Sequence, residues 1–88
     1  MTREKVLHFC CQKAIEYEAL GYVYWKSKST DFPLSESFIC ENETINIELC
    51  ILEVGQNYIH ISLLGDDNSF LMTRWPVGTS FIVRDNAI

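Results

Sequence analysis

Eighty-eight residues, 48% apolar and 22% charged, have the composition of one globular domain with a single modest core, which excludes wholesale disorder. No apolar run approaches the ~20 residues that span a bilayer, so no membrane segment is expected. The net charge is −5, and between Ser29 and Thr73 there is no Lys or Arg but eight acids, a balance that disfavours nucleic acid and suits a basic protein partner.

The opening stretch, MTREKVLHFCCQKAIEYE, is charged and periodic and lacks the apolar core of a signal peptide, so a cytoplasmic chain with reduced cysteines is expected. Thr2 is placed to cap a helix, Glu4 suits its first turn, and Gly21 suits its end. Val6, Leu7, Cys10, Cys11, Ala14 and Tyr17 recur at spacings of three and four, which predicts a helix over 3–20 with these six on its buried face. Phe9, Ile15 and Leu20 lie off that stripe.

A β-rich region over 22–85 is expected to follow, completing a single domain over 1–88. Tyr22–Lys26 is aromatic and β-branched and reads as a strand. Ser27–Glu36 reads as a polar loop, and Phe38–Glu41 as a short edge strand. Ile45, Ile47, Leu49 and Ile51 alternate with polar or small residues, as do Ile59, Ile61 and Leu63. A three-residue loop, Gly55-Gln56-Asn57 with Asn57 left-handed, would close Val54 on Tyr58 and pair Ile51 with Ile61 and Leu49 with Leu63.

The same parity carries forward. A loop over Gly65–Ser69 would pair Leu64 with Phe70, and a Pro76-Val77-Gly78 turn would close Trp75 on Thr79. The resulting fold is α+β, one N-terminal helix packed on an antiparallel β-meander of four to six strands, open or closed into a small barrel. Its core comprises Ile45, Ile47, Leu49, Ile51, Ile59, Ile61, Leu63, Leu71, Trp75, Phe81 and Val83. The second face, carrying Leu52, Val54, Tyr58, Leu64, Phe70, Met72 and Ile82 mixed with Glu48, Cys50, His60, Ser62, Arg74 and Arg84, would be too apolar for water alone.

Cys10, Cys11, Cys40 and Cys50 have neither CxxC nor paired metal-ligand spacing. His8 and Cys11 are only two potential ligands, and Asp66–Ser69 lacks the ligand spacing of a calcium loop. His60 falls opposite Leu52 and diagonal to Cys50, but no oriented base or oxyanion hole is evident, so no catalytic residue, metal or cofactor is assigned. The expectation is a small acidic, non-enzymatic protein-interaction module of the immunity, inhibitor or adaptor kind, binding a basic protein partner. Glu41, Glu43, Glu48 and Glu53 would steer that partner, with Tyr58, His60 and Trp75 in contact. Two other readings stand beside it: a ligand-binding or enzymatic pocket near His60 and Cys50, and a structural homodimer burying the second sheet face.

Overall fold

A computed structural model of the chain describes residues 2–86. Helix α1 spans Arg3–Ala19, and the Thr2 hydroxyl caps it by accepting from the Lys5 amide at 3.2 Å. Gly21, at φ 88°, takes the left-handed position just past the cap residue Leu20. A second helix, α2, runs through Gly21–Lys28 where a strand was predicted. Trp25 decides this. Its ring is buried against Tyr17, Phe32 and Phe81, and its indole N–H donates to the Tyr17 carbonyl at 2.7 Å. Burying that one aromatic outweighs the strand preference of its neighbours.

Four antiparallel strands follow: β1 (Leu34–Cys40), β2 (Glu43–Val54), β3 (Tyr58–Asp66) and β4 (Val77–Arg84). They form one open sheet in the order β1-β2-β3-β4, with no closure into a barrel. The edge strand β1 begins at Leu34, earlier than the predicted Phe38, because Leu34, Glu36 and Phe38 pair with Leu49, Ile47 and Ile45 and so share their face.

The β2–β3 hairpin keeps the predicted pairs Ile51–Ile61 and Leu49–Leu63 but closes differently. Gly55 donates its amide to the Tyr58 carbonyl at 2.9 Å across the two residues Gln56 and Asn57. Val54 then faces Ile59, and a bulge between Ile51 and Glu53 removes the one-residue offset before the core begins. Asn57 is not left-handed; among the described residues the non-glycine positions at positive φ are Glu41, Asn42 and Asn68.

The largest departure lies at residues 70–75. They do not form a strand between β3 and β4. Gly65, expected in a loop, lies within β3 opposite both Ile47 and Val77, and β4 pairs directly with β3. Phe70–Arg74 instead make a short helix, α3, capped by the Ser69 hydroxyl, which accepts from the Met72 amide. Asp67 fixes the approach by accepting from the Ser69 amide at 2.9 Å, and Asn68 supplies the left-handed residue. Pro76 leads directly into β4, so Val77 and Gly78 are strand residues and not a turn.

Both α1 and α2 pack on one side of the sheet over Ile45, Ile47, Leu49, Ile59, Ile61, Leu63, Phe81 and Val83. Ile51 is half-buried. Leu71 and Trp75, placed in the core by strand parity, are exposed, whereas Met72 is buried in their stead. On α1 the buried residues are Val6, Cys10, Ala14 and Tyr17; Leu7 and Cys11 face outward. With Phe70 and Met72 outside the sheet and Val54 paired to the core residue Ile59, the second face is more polar than expected. Its middle carries Glu48, Cys50, His60, Ser62 and Ser80, so water can cover most of it.

Candidate functional site

Three surface features carry the residues that could meet another molecule. The first is a ridge on α3. Phe70, Leu71 and Trp75 are 71%, 65% and 59% exposed, three large apolar side chains within six residues of chain. Met72 fixes the helix from beneath by entering the core. The Arg74 guanidinium lies 5.6 Å from the Phe70 ring centroid and 5.6 Å from that of Trp75, so one cation spans both aromatic faces. Arg3, from the start of α1, donates to the Trp75 carbonyl at 2.6 Å and ties the ridge to the domain.

The second feature is the open sheet face, which brings together four of the seven predicted contact residues. Glu48 lies opposite Leu64 and Ser35, and its carboxylate accepts from the Cys50 thiol at 3.4 Å. His60 lies opposite Glu53 and Ile82, not Leu52, because of the bulge, and its Nε2 bonds the Ser80 hydroxyl at 2.9 Å. Tyr58 donates to Glu53, and Arg84 stacks 5.9 Å from the Tyr58 ring. Glu41 and Glu43 lie apart from these, at the β1–β2 turn, where Lys5 pairs with Glu41 at 3.3 Å. Trp75 lies on the ridge. The acids predicted to act as a group are thus divided between two places.

Two groups on this face, Cys50 and Tyr58, are held toward their neutral forms. Burial, followed by the Glu48 carboxylate, raises the Cys50 thiol above its ordinary range, so little thiolate forms there. The hydrogen bond to Glu53 raises the Tyr58 phenol. Cys10, within the core, is pushed up to about 11 by burial and then by neighbouring Cys11. His60 lines a groove beside β4, while Cys50 opens on a separate hollow with Phe32, Pro33 and Ile51. Among the described residues no group of three or more His, Cys, Asp or Glu side chains is arranged to hold a metal ion, and no helix is long and apolar enough to cross a membrane.

The third feature is that groove of about 540 Å³ along β4, walled by Cys11, Ile15 and Glu18 of α1 and by Ser80, Ile82 and Arg84 of the strand. The sequence places β4 last and Ile15 off the helical stripe, but only the packing of α1 beside β4 brings the two together into a groove.

Compared with protein-family models, with characterised proteins and with solved structures, the chain matches none.

Proposed function

We propose that the chain is a small non-enzymatic protein-interaction module that docks its partner through the α3 ridge. The observation that carries this is the joint exposure of Phe70, Leu71 and Trp75 on a helix whose other side is anchored in the core. Taking 150–250 Å² as the area one aromatic side chain offers, the exposed parts of the three amount to roughly 400 Å². That is the size of the largest apolar patch on many monomers, and such patches are often functional. Trp and Arg are also the residue types that most often dominate binding energy, and Trp75 and Arg74 stand together here.

Charge supports a partner of particular design. Two cations, Arg3 and Arg74, touch the ridge, while the chain as a whole carries −5. The fitting partner is therefore a basic protein with an apolar, neutral or acidic hollow at the point of contact. The long-range field speeds encounter, and the buried aromatics slow release.

A photo-crosslinking amino acid at Leu71 tests this in cells, with the same group at exposed Ile39 as the control surface. The Leu71 probe should capture one defined protein, with yield falling at least tenfold on Trp75→Ala and falling also as salt is raised. Equal capture from Ile39, or capture indifferent to Trp75→Ala, would remove the ridge from the function.

A further inference from the structure

We infer that β4 is a pairing edge for a second copy of this chain, which joins two sheets into one of eight strands. This does not depend on the ridge; it uses a different surface and a different kind of contact.

The backbone sets the argument. Among the described residues strand β4 pairs with β3 alone, in an unbroken register from Tyr58–Arg84 to Gly65–Val77. The Asp85 amide donates to the Asn57 carbonyl at 2.7 Å, which continues that register by one residue. In an antiparallel ladder every second facing pair exchanges both backbone bonds. The bonded pairs are therefore those of Val77, Thr79, Phe81, Val83 and Asp85. The N–H and C=O of Gly78, Ser80, Ile82 and Arg84 point away from β3, toward the free edge.

Nothing within the strand guards this edge. Proteins commonly protect edge strands with Pro, Lys, bulges or inward charges. Both end strands follow a proline, Pro33 and Pro76, but β1 also carries a charge on its helix-facing side, where the Glu36 carboxylate accepts from the Tyr17 hydroxyl at 3.4 Å. Strand β4, VGTSFIVR, has no Pro, Lys or bulge, and its one charge is at the end.

The occupant follows from symmetry. The four outward-facing residues are centred on Phe81. A second copy laid antiparallel with the twofold axis at Phe81 sets Gly78 against the second copy's Arg84 and Ser80 against its Ile82. Every outward group then meets a partner, and Arg84 never faces another Arg84, which would be unfavourable. Each contact is reciprocated, as an isologous interface requires.

The helix beside the edge points the same way. Leu7, Cys11 and Ile15 are exposed and spaced by four, forming an apolar row on α1, and Cys11 and Ile15 line the groove along β4. Ile15, 69% exposed, has no role in the domain's own core. Across the twofold axis the two α1 rows meet and cover one another. Eight strand residues run about 27 Å at 3.4 Å each. Edge and helix row together bury on the order of 1,000 Å² in total, near the lower bound for a specific complex. That area predicts a reversible dimer, not a permanent one.

Sedimentation velocity on the purified chain, from low micromolar to near-millimolar concentration, reads this directly. The wild-type chain should form dimers with a dissociation constant on the order of 10–100 μM. Two variants address the edge without touching the core. Ser80→Pro removes an amide that points away from β3, and Ile15→Lys places a charge in the helix row. Both should keep the wild-type circular dichroism spectrum and weaken dimerisation at least tenfold. Amide exchange at Ser80 and Ile82 should slow as the wild-type protein is concentrated. A wild-type chain that remains monomeric throughout overturns the inference. A dimer unaffected by Ile15→Lys, whatever the fate of the proline variant, does so as well.

Discussion

Trp25→Ala should cost about 3–5 kcal/mol in urea titrations, a large share of the whole stability and enough to leave a weakly stable domain partly unfolded at room temperature. An 88-residue domain has few such reserves, since total stabilities run from about 5 to 15 kcal/mol. Trp25 is the largest side chain in the core. Its ring meets Tyr17 edge-on at 5.7 Å, Phe81 at 5.6 Å and Phe32 at 6.0 Å, so it joins α1, α2, the approach to β1 and the edge strand β4. Removing it opens a cavity that these four segments cannot close without losing one another. Trp25→Phe keeps one aromatic ring in the core and removes the indole N–H together with part of the ring volume. The Tyr17 carbonyl also accepts from the Leu20 amide at 3.1 Å, so loss of the indole N–H does not orphan it. That variant should cost no more than about 1–2 kcal/mol.

Gly65→Ala should cost about 1–3 kcal/mol through overpacking, and Cys10→Ala should relieve most of that cost. Gly65 is in the middle of the sheet, paired with Ile47 on one side and Val77 on the other, so its backbone cannot withdraw. A Cβ there would overlap the Cys10 sulfur and press on Val6 Cγ1 at 3.4 Å. Both are fully buried, and a cysteine has no flexible far end to swing aside. The close approach of α1 to β3 thus requires a residue with no side chain at this point. A double-mutant cycle by thermal or chemical unfolding checks the assignment, because two residues in contact must show non-additive losses. Strictly additive losses would mean that α1 does not cross the sheet at Gly65.

The legible parts of this chain were those where two signals coincide. Thr2 and Gly21 bracket a periodic helix, and both take the roles their chemistry suits. The pairs Ile51–Ile61 and Leu49–Leu63 followed from core parity, and they survive although the turn beyond them was misread. The bulge explains how. Register in a half-buried sheet is held by the apolar faces, so the hairpin accommodated its two-residue turn by inserting a residue near the tip.

The elements that escaped detection are short and apolar. Tyr22–Lys26 and Phe70–Trp75 each contain too few residues for a period of two to be told from one of 3.6. For α3 the missed signal was local: Asp67-Asn68-Ser69 is a turn followed by a helix cap, a stronger cue than the β-parity of Leu71 and Trp75. A strand over 70–75 would bury Trp75 and load the second sheet face with Phe70 and Met72; the helix formed there instead leaves Phe70, Leu71 and Trp75 exposed. The candidate contacts Glu48, Glu53, Tyr58 and His60 do share a face, but Trp75 stands elsewhere, beside Leu71, which strand parity places in the core, and Phe70, which it places on the second face.

The account depends most on Trp75 standing in solvent in the folded chain. Trp25→Phe leaves Trp75 as the sole indole, and its fluorescence at low protein concentration measures that exposure directly. Emission in the range of a hydrated indole, quenched by acrylamide nearly as well as free tryptophan while the circular dichroism stays native, is the predicted result. Blue-shifted, quencher-protected emission from the monomer would return Trp75 to the core and contradict the ridge.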